Sequence, residues 1–440
     1  MTRFLKVLFV ASLMLHEVLA AAEMSFLYVH QMAQSEAPEL SLARYRVDGA
    51  EAQKDVATGK ILPQVTLFGQ FSSNRVNYET NNIFTRDQEY NGHRYGVQVK
   101  QPLLNVPDGL EALRLDLVYQ QSKEELKVVE NEVFVGLVEA YLNVLLADAD
   151  VVQYEAELLA LQGQLEESTA LFDRKLLPLT QLLEIQTRTE RVRADLSMAR
   201  GNASVVREQL GKLTGQNDIE PRRVVDVVSL VNPFGSPEVA ASVAVTRSPS
   251  IAAAETALSA ARRAIQREQS TWVPNIDVTY SYQYADVGFD NLQSPPRDTS
   301  VIAIGFNYPI FEGGSKGARL RGARAEYHGV ETQLKAEIRE AEARARGAWL
   351  TLEAAGEGLI ASRRAIQSAE TNVDAARKAV TAGISRLSDV LVALAQNTKA
   401  QREFALAKFT YAMAWVELEM ATGANPNAIA PTFSTALHGD

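Results

Sequence analysis

The chain carries the same pattern twice, about 208 residues apart. Ala140-Tyr141-Leu142 recurs as Ala348-Trp349-Leu350, Leu182-Leu183 as Val390-Leu391, and Thr214-Gly215 as Thr422-Gly423. Upstream, Leu62-Pro63-Gln64-Val65 recurs as Val273-Pro274-Asn275-Ile276, and Gln101-Pro102-Leu103-Leu104 as Tyr308-Pro309-Ile310-Phe311, at offsets of 211 and 207. Length differences therefore sit between the two prolines of each copy. Each copy reads as proline, strand, loop, strand, proline and a very long helical stretch. Two long copies mark a duplicated domain and not a solenoid of short units.

The chain is long enough, at 440 residues, for two or three compact domains. Arg3 and Lys6 precede an apolar run from Val7 to Leu15, and small residues follow at Ala20, Ala21 and Ala22. Residues 1–22 are therefore expected to be a cleaved secretory signal, the apolar run being too short to span a bilayer. No later window approaches a transmembrane helix. The chain has no cysteine, which excludes disulfides, thiolate metal sites, thiol nucleophiles and an acylated N-terminal cysteine. Without residues 1–20, 42 basic residues face 53 acidic ones, a net charge near −11. That balance argues against nucleic acid as a partner.

After Pro63, Val65, Leu67 and Phe71 alternate with Gln64, Thr66, Gln70 and Ser72; Tyr95, Val97 and Val99 alternate with Gln98 and Lys100. In the second copy Ile276, Val278, Tyr280, Tyr282 and Tyr284 oppose Asn275, Asp277, Thr279, Ser281 and Gln283, while Ile302, Ile304 and Phe306 oppose Val301, Ala303 and Gly305. Two strand pairs are expected, at about 64–101 and 275–308, with polar loops at 73–94 and 285–299. One apolar, aromatic-rich face suits an outer-membrane barrel. It equally suits an antiparallel sheet lying on a core. Four strands cannot close a spanning barrel, and an open sheet edge is not tolerated in lipid. If these strands span a membrane, several protomers must share one barrel.

Proline is absent between Pro107 and Pro178 and between Pro309 and Pro426, and apolar residues recur at three- and four-residue steps through Leu126, Val129, Val133, Leu137, Tyr141 and Val144. A helix from Pro107 to Phe172 would run ~95 Å, which is stable only when laid against other helices. Each long helix is expected to turn once, near 175–180 and near 383–389. Gly383 is suited to a positive φ, Thr180 and Ser388 to capping the returning helices, and Gly215 and Gly423 to ending them. The chain thus divides into a first repeat at 23–215, a proline-rich connector at 216–250, a second repeat at 251–423 and a flexible tail at 424–440.

Candidate catalytic and binding motifs are weak. Phe311-Glu312-Gly313-Gly314-Ser315-Lys316-Gly317 lacks the glycine–lysine spacing of a phosphate loop and reads as a strand-to-helix turn. The five histidines, His16, His30, His93, His328 and His438, are dispersed without metal-ligand spacing. No Gly-x-Ser-x-Gly elbow occurs. Tyr141 and Trp349, at equivalent places, read as packing anchors. Neither an enzyme nor a cofactor is expected. The competing class is a soluble periplasmic coiled-coil scaffold, which accounts for the helices but not for four strands with apolar faces.

The motifs Leu62-Pro63-Gln64-Val65, Tyr308-Pro309-Ile310-Phe311-Glu312-Gly313-Gly314 and Ala382 to Leu391, in this order over residues 36–423, resemble the TolC-like outer-membrane channel-tunnel family. The resemblance implies a mostly α chain with membrane β. It also implies a homotrimer whose chains each give four strands to a shared twelve-stranded β-barrel and long hairpins to a periplasmic α-barrel. Such channels pass proteins or small toxic molecules outward, with a periplasmic adaptor and an inner-membrane transporter as partners. Carried over by position, Thr180, Gln181, Ser385 and Asp389 would gate the tip, Asp389 being the entrance carboxylate; Val392 stands where a second acid can occur. The turns Lys175, Leu176 and Leu177, with Ala382, Gly383, Ile384 and Arg386, would dock the adaptor; Lys175 stands where a glycine is common. The absence of cysteine leans toward type I protein secretion, with multidrug efflux as the alternative.

Overall fold

The computed structural model describes residues 24–78, 86–216, 219–222, 227, 230–287 and 292–438. The expected signal segment lies outside them. Two short helices, α1 (Phe26–Glu36) and α2 (Pro38–Gly59), precede strands β1 (Gln64–Tyr78) and β2 (Arg86–Leu104), then helices α3 (Val106–Asp173) and α4 (Leu179–Thr214). The second copy follows the same order: α5 (Pro237–Arg247), α6 (Pro249–Ser270), β3 (Asn275–Val287), β4 (Gln293–Asn307), α7 (Ser315–Thr381) and α8 (Leu387–Ala421). A last helix, α9, spans Pro426–His438.

The helices α1 and α5 are both 11 residues long, α2 and α6 both 22, and each pair starts 211 residues apart. The second copy therefore begins at Pro237, inside the stretch expected to be a connector. Ser236 caps it, its side chain accepting from the Val239 N–H, and Pro237 at the first helical position has no N–H to leave unpaired. The expected flexible tail is also corrected. In α9, Ala430, Phe433 and Leu437 are fully buried, because their spacing lines one helical face.

The chain divides into two compact units. One comprises the chain through Arg44, Glu125–Ile251 and the chain from Ile338. Its core joins Phe26, Phe134, Tyr141, Leu210, Trp415 and Phe433. The two anchors are equivalent in detail: Tyr141 Oη donates to the Met24 carbonyl at 3.0 Å, and Trp349 Nε1 to the Phe234 carbonyl at 2.9 Å. Each ties a long helix to the residues just before the short first helix of its own copy. Ion pairs run along the α3–α4 hairpin, from Arg207 to Asp148, Arg200 to Glu155 and Arg188 to the buried Glu157.

The other unit comprises Tyr45–Glu124 and Ala252–Glu337 and holds one antiparallel sheet in the order β1-β2-β3-β4. Register places Val65, Val99 and Tyr280 on one row with Ile302, and Leu67, Val97 and Tyr282 on the next. One apolar face therefore runs across both copies, interrupted on β4 by Ser300 beside Tyr282 and Asp298 beside Tyr284. Leu67, Phe71, Ile302, Ile304 and Phe306 on it are 68–83% exposed.

The expected loops at 73–94 and 285–299 are much shorter, because the ladders continue through polar residues. The Arg75 guanidinium pairs with the Glu89 carboxylate across β1 and β2. His93 Nδ1 lies 3.0 Å from Asp286 Oδ2 across β2 and β3. Pro295 and Pro296 lie within β4 where its pairing with β3 is interrupted, between the Ala285–Arg297 and Val287–Gln293 pairs, so neither is asked for a ladder N–H.

Candidate functional site

The two hairpin tips are built by the same backbone device. At the end of α3, the Lys175 N–H donates to the Phe172 carbonyl at 2.8 Å and the Leu176 N–H to the Leu171 carbonyl at 2.9 Å. At the end of α7, the Gly383 N–H donates to the Val380 carbonyl at 3.0 Å and the Ile384 N–H to the Ala379 carbonyl at 2.9 Å. These paired bonds satisfy the last free carbonyls of each helix and require a left-handed residue at the turn. Lys175 supplies it at φ 62° and Gly383 at φ 72°. The next residue in each turn is an exposed aliphatic, Leu176 at 70% and Ile384 at 83%. Leu177 is half-buried, whereas Ala382 and Arg386 are exposed.

The returning helices start differently from expectation. Thr180 and Ser388 lie inside the first turns of α4 and α8 and cap neither. Pro178 and Arg386 occupy the cap positions. Pro178 has no N–H, so Gln181 faces no backbone donor there. Arg386 has one, and Asp389, the counterpart of Gln181, accepts it through Oδ2 at 3.1 Å. The Ser385 hydroxyl donates to the same carboxylate oxygen. Those two hydrogen bonds, the serine's foremost, hold the Asp389 carboxyl below the usual aspartate range.

The structure thus brings Ser385 and Asp389 together, within one turn. Among the described residues no hydrogen bond joins either to Thr180 or Gln181. Thr180 instead lines an open groove with Thr187, Arg188, Ser388, Leu391 and Val392. Beneath it Leu161, Ile185, Val192 and Leu391 form a small apolar cluster. This places the tips on packed helices, a support that periodicity alone did not reveal. No described helix is long and apolar enough to cross a membrane.

A four-stranded sheet with one apolar face, joined in each copy to a helical hairpin, defines a subunit of an outer-membrane channel-tunnel. The model of the family described as "Outer membrane efflux protein" matches residues 29–216 and 240–424. The chain belongs to that family. It is 24% identical over 443 residues to the outer membrane protein TolC of Escherichia coli (strain K12), covering 96% of this chain and 87% of that protein. It is 23% identical over 405 residues to the alkaline protease secretion protein AprF of Pseudomonas aeruginosa, covering 90% and 83%. Among solved structures, the outer membrane protein VceC from Vibrio cholerae is similar with a TM-score of 0.76 at 17% identity, covering 91% and 96%. The fold is therefore that of the TolC-like channel-tunnels.

Proposed function

We propose that this chain forms a homotrimeric exit duct in the outer membrane, exporting proteins by type I secretion. The observation that carries the channel reading is the four-stranded sheet, whose apolar face ends at two outer strands, β1 and β4. Such edges are costly in lipid, and three chains joined edge to edge remove them by closing twelve strands. The signal segment delivers the chain to the periplasm, and the helical hairpins form a periplasmic tube. Its tips, at Lys175–Leu177 and Ala382–Arg386, meet an adaptor coupled to an inner-membrane ABC transporter. Thr180, Gln181, Ser385 and Asp389 line or close the tube's entrance, the acid ring being formed by Asp389.

Similarity to a protease secretion protein and the absence of cysteine support secretion over efflux. The family description supports the second reading, an outer-membrane component of a multidrug efflux pump. Two measurements test the proposal. The trimer is expected to run as a large species on unheated gels and as a monomer after boiling. Photo-crosslinking from Leu176 or Ile384 in cells is expected to capture the adaptor of an ABC transporter. Capture of a proton-driven pump's adaptor alone would overturn the secretion reading, and a monomer absent from membrane fractions would overturn the channel.

A further inference from the structure

Inward of the Val76–Gln88 pair, the face of the sheet opposite the apolar band carries four charged residues: Arg94, Lys100, Arg297 and Asp277. Lys100 and Asp277 approach each other, Nζ to Oδ1, at 3.7 Å and offset one another. The two arginines occupy a different level and share it. Register runs Gln70 to Arg94, Arg94 to Ala285, and Ala285 to Arg297. One strand, presenting only the buried methyl of Ala285, separates them. Two strand spacings put their backbones ~9.6 Å apart, close enough for one anion to reach both long side chains. The next inward row on this face is Phe68, Gly96, Gln283 and Thr299, all uncharged. Ser72 and Gly92, on the outward side, are uncharged as well. This basic row stands out in a chain whose net charge is −10.

We infer that Arg94 and Arg297 form an anion-selective ring on the lumen wall of the barrel. The inference rests on the trimeric reading above, in which two arginines from each of three chains place six at one level. A guanidinium keeps its charge at any working pH and presents a planar donor fork that matches carboxylate and phosphate oxygens. Rings of arginine or lysine select anions in pores because the field of one charge adds to its neighbour's in a confined lumen. Solutes bearing carboxylate or phosphate groups are therefore favoured through this level, and multivalent cations are disfavoured.

The test uses the full-length oligomer in planar bilayers under a tenfold KCl gradient. Replacing both side chains (Arg94→Gln with Arg297→Gln) is expected to lower the chloride-to-potassium permeability ratio at least ~2-fold, whereas Arg94→Lys with Arg297→Lys keeps it. Inorganic pyrophosphate added on the external side is expected to reduce wild-type current, with block weakened ~10-fold in the glutamine pair. Conducting wild-type channels indifferent to pyrophosphate would overturn the ring, whatever the variants do. So would a conducting glutamine pair with the wild-type reversal potential. A wild-type preparation that stays monomeric and carries no current would overturn the trimeric reading itself, and the ring with it.

Discussion

The Lys316 ammonium donates to the Thr271 carbonyl at 2.9 Å, and its second bond, at 2.8 Å, goes to the Pro309 carbonyl. It thereby ties the turn that enters β3 to the segment that leaves β4. The first copy makes the equivalent tie with a different group: Gln101 Nε2 donates to the Ile61 carbonyl at 3.1 Å and the Pro102 carbonyl at 2.6 Å. Lys316 is buried and lies 5.1 Å from the Trp272 ring centroid, so it has exchanged water for carbonyl oxygens and a π face. Charged hydrogen bonds contribute about 1.5–3 kcal/mol and neutral ones about 1. Lys316→Met should therefore lower the temperature at which the oligomer dissociates in detergent more than Gln101→Leu does. Equal shifts would show that the ammonium adds nothing beyond packing.

The tips give a backbone test. Lys175 and Gly383 hold the same left-handed position in two otherwise matching turns. A side chain there costs about 1–2 kcal/mol relative to glycine. Lys175→Gly should stabilise the first hairpin, and Gly383→Ala should destabilise the second by a similar amount. Hydrogen exchange of the Leu176 and Ile384 amides reads this directly. Unchanged protection in both variants would exclude strain at the turns.

Several of these relationships were legible in the sequence, and others were hidden for physical reasons. Gly383 advertised its left-handed turn, whereas Lys175, one 208-residue offset away, holds the same conformation with a residue type that gives no such signal. Period-two alternation located the strands, but their ends ran on because Arg75, Glu89, His93 and Asp286 pair across the ladder where polarity suggested loop. Thr180 and Ser388 looked like caps by residue type alone. Pro178 and Arg386 precede them at the true boundary, and only Arg386 has an N–H for Asp389 to accept. The ordered end of the chain was concealed by Pro426 and Pro431, although Pro426 sits at the first helical position where proline is tolerated.

That terminal helix is part of the core. The Phe433 ring meets Phe26 edge-on at 4.9 Å between centroids and stacks on Trp415 at 6.3 Å. Truncating a buried phenylalanine costs about 3–5 kcal/mol. Phe433→Ala should lower the unfolding temperature of the oligomer sharply, and a chain ending at Ala424 should accumulate poorly. Tip-specific crosslinking of the surviving Phe433→Ala protein should be unchanged. A truncated chain of wild-type stability would show that α9 packs without consequence.

Asp389 predicts a pH profile. Its hydrogen bonds from Ser385 and Arg386 favour the ionised carboxylate, so it keeps its charge as pH falls through the ordinary aspartate range. Block of the channel by multivalent cations from the periplasmic side should persist from neutral pH to about 4. Ser385→Ala should move the loss of block to higher pH, and Asp389→Ala should weaken block throughout. Wild-type block in Asp389→Ala would remove this residue from the entrance.

Glu417 and Glu419 predict the opposite dependence. Both sit in α8, and burial raises both carboxyls above the usual glutamate range; the nearby Glu139 adds to the rise at Glu417, and Arg247 opposes it at Glu419. A carboxyl raised by folding binds its proton more tightly in the folded state, so ionisation works against folding. Stability should fall as pH rises from the unfolded glutamate value, about 4.3, through the raised folded value. Glu417→Gln removes this penalty at pH 7.5 and changes little at pH 4. The gap between unfolding temperatures measured at those two pH values should therefore narrow in Glu417→Gln. A gap as wide as in the wild type would show that Glu417 ionises in the folded chain as it does in water.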